Sequence, residues 1–292
     1  MTLLFAFGSN LDAQDRDAWM LAHGHPGARF DAAGPALLLD RRLSFERFSR
    51  GRGGGALTLS VAPGHAAEGA LFEINEAALE ALDAKEGHPH AYMREQVHAI
   101  LPDGRCRSAL TYDVPPDRRM PHSRPTSSYH ALVRRGLLAH GLGTEALDAA
   151  AHGHMVPPAA PHLFVYGTLR HGQPNAGLLE GLPRLRATCP GRLHDRGPYP
   201  VMALGQGTVS GELVPLDPAR LAALDALEQA QPFGAPGGAY RRTVLPVTLD
   251  DGTMARAQLY VVDDASPWPT IETGDWLSVG DRHGAWAAYR IG

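Results

Sequence analysis

The chain has 292 residues, 44% of them hydrophobic and 20% charged, with a formal net charge of −4. That length is comfortable for two domains, and the composition is that of an ordinary globular protein. The balance of charge gives no electrostatic case for a nucleic-acid partner, which would need a concentrated basic face, and two cysteines far apart, Cys106 and Cys189, speak for a reducing compartment over a disulfide framework.

The N-terminal apolar run ends at Gly8, too short for a signal peptide and without a basic flank. No later apolar stretch reaches the roughly 18 residues of a membrane span, so no membrane partner and a cytoplasmic location are expected. Thirty-three glycines and 24 prolines predict many turns, hence a turn-rich α+β or small-barrel architecture. The first predicted strand, Leu3 to Phe7, runs into the loop Gly8-Ser9-Asn10-Leu11. The arginine-rich stretch 41–52, interleaved with Phe45 and Phe48, reads as a strand beside a site mouth, with an arginine available to a substrate carboxylate. The segment 69–86, GALFEINEAALEALDAKE, then predicts a strand followed by a helix capped by Asn75 and closed by Gly87.

The same events recur after residues 149–161, an Ala/Pro-rich stretch without hydrophobic periodicity that reads as a linker. Leu163 to Tyr166 leads into Gly167-Thr168-Leu169. GELVPLDPARLAALDALE (211–228) aligns with 69–86 without a gap and with half of the positions identical. Asp217-Pro218 supplies a cap and a proline at the first helical position. Tyr92-x-Arg94 and Tyr240-x-Arg242 follow, and in both copies a turn glycine lies twelve residues beyond that tyrosine and a second tyrosine (Tyr112, Tyr260) eight further. The chain is therefore a duplicated module: a domain over 1–148, the linker, and a domain over 162–292. The two domains are expected to pack on each other.

Positions 79, 82 and 86, like 221, 224 and 228, share one helical stripe, and each stripe is two leucines followed by a glutamate. Glu86 and Glu228 are thus expected to point inward, where burial would lift their pKa toward the range useful for proton transfer. The competing reading is structural: a glutamate at a helix end, paired with Arg94 or Arg242, or simply solvated. Each glycine loop exposes backbone N–H groups at the end of a strand, where they can hold an anion or a developing oxyanion, although neither loop is a P-loop. An ordinary strand-end turn is the alternative there. The paired histidines His23/His25, His88/His90 and His152/His154 have no cysteine or carboxylate at ligand spacing, so no metal is expected.

Phe5-Ala6-Phe7-Gly8-Ser9-Asn10-Leu11, Leu82-Asp83-Ala84-Lys85-Glu86-Gly87, Arg52-Gly53-Gly54-Gly55 and Pro125 to Tyr129 ahead of HALVRRGLLAHGL resemble the γ-glutamylcyclotransferases over most of 1–145. Tyr166-Gly-Thr-Leu-Arg170-His-Gly-Gln-Pro-Asn175, Tyr199-Pro200, the helix ending in Glu228 and Gly274-Asp275-Trp276 are similar to the γ-glutamylamine cyclotransferase branch over about 162–280. The resemblance implies two tandem small mixed β-barrels with flanking helices. It also implies an intramolecular aminolysis that converts a γ-glutamyl compound to 5-oxoproline and a free amine or amino acid, without metal or cofactor. Clearing a γ-glutamyl protecting group in a biosynthetic pathway would fit.

Carried onto this sequence, the resemblance makes Glu86 and Glu228 the acid/base groups. It puts a small γ-glutamyl substrate against Phe7, Gly8, Ser9, Asn10, Leu11 and Tyr129 in one copy, and against Tyr166, Gly167, Thr168, Leu169, Arg170 and Tyr240 in the other. Phe7 stands where the family has tyrosine, and Gln229 with the loop QPFGAPGGA lengthens the second copy after its glutamate. A protein that binds γ-glutamyl ligands with one or both sites inactive is the rival expectation.

Overall fold

In a computed structural model of the chain, the structure describes residues 1–280. Each repeat forms a closed five-stranded barrel. The first comprises β1 (Thr2–Ala6), β2 (Phe30–Ser49), β3 (Gly54–Ile74), β4 (Met93–Ile100) and β5 (Cys106–Asp113), in spatial order β1-β3-β2-β4-β5. The second comprises β6 (His162–Val165), β7 (Leu185–Asp195), β8 (Pro200–Pro215), β9 (Arg241–Leu249) and β10 (Met254–Val261), in order β6-β8-β7-β9-β10. The expected α+β class with tandem mixed barrels is what forms.

Duplication extends to the strand register. Leu4 faces Phe72 across an antiparallel pair, as Leu163 faces Val214. The parallel pair that closes each barrel joins Leu4 to Leu110 and Leu163 to Gln258. Gly69 and Gly211 explain why glycine opens both aligned segments. A Cβ on Gly69 would lie 2.4 Å from the Phe5 ring, and one on Gly211 would lie 2.4 Å from the Val165 carbonyl. Only a bare backbone lets the first strand of each repeat cross so closely.

Helix α2 (Glu76–Glu86) starts at Asn75, whose side chain accepts from the Ala78 amide, and ends at Gly87 in the left-handed conformation. Its counterpart α5 (Pro218–Leu227) starts at Asp217, with Pro218 at the first helical position. The first repeat adds α1 (Ala13–Ala22), α3 (Ser127–Ala139) and α4 (Glu145–Ala151), which have no counterparts among the described residues of the second. Gly136 lets α3 lie against the first loop, where a Cβ would stand 2.7 Å from that of Leu11. Among the described residues no helix is long and apolar enough to cross a membrane.

Residues 149–161 do not form the free linker their composition suggests. Helix α4 runs on to Ala151, and Ala150, Ala151 and Val156 are buried in the first core. One compact unit comprises Met1–Leu101 and Arg107–Ala159, and the other Pro102–Cys106 and the chain from Ala160 on. Small side chains pack here without the apolar periodicity that longer ones would display.

Candidate active site

In both repeats the glutamate helix is pinned by the same ion pair. Arg94 is bound to both carboxylate oxygens of Asp83, which also accepts from the Tyr112 hydroxyl at 2.7 Å. In the second repeat the fully buried Arg242 lies 3.2 Å from Asp225, which accepts from the Tyr260 hydroxyl at 2.7 Å. The arginines that a structural reading would assign to Glu86 and Glu228 are thus held by the aspartates three residues earlier. What the ion pair does is fix the last turn of each helix, so that the following glutamate is presented beside the glycine loop.

The two sites differ in what surrounds that glutamate. In the first repeat, Phe7, Gly8, Ser9, Asn10, Glu86, Tyr92 and Tyr129 border a cavity of only about 40 Å³. Glu86 accepts from the Asn10 side-chain amide at 2.8 Å, and the Asn10 carbonyl oxygen accepts from Lys85 at 2.6 Å. Burial lowers the Lys85 pKa, opposed by the nearby carboxylates of Glu86 and Asp15. Asp15 also takes a two-pronged bond from Arg52, at 3.2 and 2.9 Å, and Arg52 covers the Tyr129 ring.

Tyr129 is buried against this cavity. Its hydroxyl accepts from the Leu57 amide at 3.4 Å and would lie 3.8 Å from a Cβ on Gly8, and burial pushes its pKa up to about 12. Gly54 and Gly55 admit the chain leading to this helix, for a Cβ on Gly55 would overlap the Ser123 carbonyl at 1.8 Å, while Gly53 turns through the left-handed region at φ 69°. That packing accounts for the glycine run next to Arg52.

In the second repeat, Tyr166, Gly167, Thr168, Leu169, Glu228 and Tyr240 border a cavity of about 280 Å³, together with Asn175, Arg196, Tyr199 and Gln229. Glu228 is half-buried at the end of α5, and among the described residues no side chain hydrogen-bonds its carboxylate. Desolvation by the surrounding protein pushes its pKa up to about 7. The loop is held from behind: the Asn175 backbone and side-chain amides donate to the Thr168 carbonyl and hydroxyl at 2.9 and 3.0 Å. Among the described residues the backbone N–H groups of Thr168 and Leu169 have no protein acceptor. Gly167 is required by Pro200, whose ring would stand 2.7 Å from a Cβ there.

Gln229, directly after the glutamate, adopts the left-handed conformation at φ 48° that Gly87 fills at φ 62° in the first repeat. A non-glycine residue in this region costs on the order of 1 kcal/mol and is held here by the longer loop, whose Ala239 amide donates to the Gln229 carbonyl.

A family model described as "Gamma-glutamyl cyclotransferase, AIG2-like" matches residues 4–131 and again 163–278. The chain belongs to this family. The γ-glutamylcyclotransferase family protein YtfP of Escherichia coli K12 is 35% identical over 117 residues, 39% of this chain and 95% of that protein. The γ-glutamylaminecyclotransferase of Bos taurus is 33% identical over 138 residues, 42% of this chain and 78% of that protein. A solved structure named γ-glutamyl cyclotransferase is 22% identical, covers 54% of this chain and 88% of its own, and has a TM-score of 0.44.

Within the family's two loops, the structure gathers every expected residue around the cavities except two. Leu11 is buried in the first core and its amide closes the loop onto the Gly8 carbonyl. Arg170 likewise closes its loop onto Gly167, while its buried guanidinium binds Asp275 at 2.6 Å. Both lie beneath the loop, since the turn after the glycine sends its fourth residue inward. The Tyr166 hydroxyl that Phe7 lacks donates to the Tyr260 carbonyl at 2.8 Å, a bond across the barrel end. Tyr92, Asn175 and Arg196 were not expected at the sites. The repeat alignment of Tyr92 with Tyr240 was the signal available for the first of these.

Proposed function

We propose that the second repeat carries the family's reaction, with Glu228 as the acid/base group and 5-oxoproline as the product. The observation that supports this most is a glutamate whose pKa burial pushes up to about 7, facing a cavity bordered by loop amides, with no partner for the carboxylate or the amides among the described residues. A general acid/base works best when its pKa lies near the operating pH.

Glu228 accepts a proton from the substrate's α-ammonium. The freed α-nitrogen attacks the γ-carbonyl carbon, forming the ring C–N bond. As the bond to the leaving nitrogen breaks, Glu228 returns that proton to it and then relays the second proton that the α-nitrogen sheds on becoming the lactam N–H, so the amine departs as its ammonium and atoms and charges balance without a co-reactant. The Thr168 and Leu169 amides hold the α-carboxylate or the developing oxyanion. Nucleophile and electrophile share one molecule, so holding it folded supplies several kcal/mol of the barrier.

In the first repeat, the Asn10 amide is bound to Glu86 and the cavity measures only about 40 Å³, which favours a copy that contributes little turnover. The test is 5-oxoproline release from a panel of γ-glutamyl amino acids and amines. Wild type should release it, and Glu228→Gln should lose about 10²–10⁴-fold in kcat. Full activity in that variant would remove Glu228 from the reaction.

A further inference from the structure

Among the described residues, two charged side chains border the second cavity, Glu228 and Arg196. Glu228, half-buried after α5, lines it together with the loop. Arg196 is exposed, in the turn between β7 and β8, and so stands at the mouth. Its guanidinium lies 5.2 Å from the Tyr199 ring centroid and 4.9 Å from that of Trp268. Two rings fix the direction of a guanidinium without neutralising it. The neighbouring Asp195 carboxylate turns to the Gly197 amide, at 2.8 Å. Arg196 is thus a pre-positioned cation, and among the described residues no other cation borders the cavity.

Taking the proposed function as given, the γ-glutamyl half must enter first, because its α-nitrogen has to reach Glu228 and its α-carboxylate has the loop amides for a partner. The leaving half therefore projects toward the mouth. We infer that Arg196 binds a carboxylate on the leaving amine, so that the second site selects γ-glutamyl amino acids over γ-glutamyl amines that lack a carboxylate. An arginine held by stacking loses little freedom on pairing, and its planar donors match a carboxylate.

The experiment compares γ-glutamyl-alanine with γ-glutamyl-ethylamine, which differ by that carboxylate alone, in the full-length wild type, Arg196→Gln and Arg196→Lys. Wild type should prefer the alanine compound by about 10–100-fold in kcat/KM, in line with one charge-assisted contact. Arg196→Gln should bring the ratio close to one through KM, and Arg196→Lys should keep part of it. An equal loss on both compounds would overturn the inference, placing Arg196 on the α-carboxylate or in a structural role, and so would a wild type without preference. If neither compound yields 5-oxoproline, the proposed function fails first. Calorimetric titration of Glu228→Gln with both compounds then decides the inference separately: tighter binding of the alanine compound sustains it, and equal or absent binding overturns it.

Discussion

The two glycine loops face two glutamates that descend from one ancestral position, yet their surroundings have diverged. At the first, Asn10 donates to Glu86, Lys85 is buried beside it and Tyr129 packs against the cavity, which measures about 40 Å³. At the second, leucines occupy the positions of Asn10 and Lys85, no described helix delivers a matching tyrosine, and about 280 Å³ stays open. A carboxylate desolvated by the protein around it has its pKa raised, and that is the state found at Glu228. The frame that positions the glutamate is copied; the chemistry of the glutamate is set by two or three neighbours.

The largest effect expected from this contrast is on turnover. Glu228→Gln should cost about 10²–10⁴-fold in kcat, whereas Glu86→Gln should stay within about twofold of wild type. Equal losses in the two variants, read as 5-oxoproline release, would erase the distinction.

Next come the ion pairs. Arg242 is 1% exposed and Arg94 is 32% exposed at the side chain. Arg242→Met should therefore lower stability by about 3–5 kcal/mol, as breaking a buried pair does, and Arg94→Met by about 1 kcal/mol. Urea unfolding of the full chain measures both, and a larger loss from Arg94→Met would contradict the burial argument.

A smaller effect follows from proton linkage. Folding raises the Glu228 pKa from 4.5 to about 7, so the protonated carboxyl contributes stability below about 4.5 that is lost as pH rises through 7. Glu228→Gln is never ionised and escapes that loss. Its Tm should match wild type near pH 4.5 and exceed it at pH 8 by at least about 2 °C. A Tm equal to wild type at both pH values would mean that Glu228 is not desolvated.

The smallest change is expected from Tyr129→Phe, which removes the hydroxyl beside the Leu57 amide. It should cost about 1 kcal/mol of stability and leave turnover in place. A tenfold fall in turnover would put the first site back into the reaction.

Much of this was legible in the chain. Equal spacings from Gly69 to Glu86 and from Gly211 to Glu228 specify the duplicated strand and helix, because barrel register and helical phase both depend on spacing. The Asn75 and Asp217 caps and the Gly87 stop were likewise readable from local chemistry. The partners of Arg94 and Arg242 were not. On a helix stripe the aspartate and the glutamate are near neighbours, and only the position of the facing strand decides which one the arginine meets. The inward turn of Leu11 and Arg170 was hidden as well, because a loop's direction has no periodicity to betray it. Nor did composition reveal that Ala150, Ala151 and Val156 pack into the first core. The contrast between the two cavities depends on Tyr129, which approaches Gly8 from a helix far along the chain.

The most direct test of the central claim is the pH dependence of kcat/KM for 5-oxoproline release in wild type, Glu86→Gln and Glu228→Gln. The account predicts a rising limb near pH 7 in wild type that Glu86→Gln retains and that is absent from the residual activity of Glu228→Gln. A limb that persists in Glu228→Gln and vanishes in Glu86→Gln would place the acid/base group in the first repeat and contradict the account.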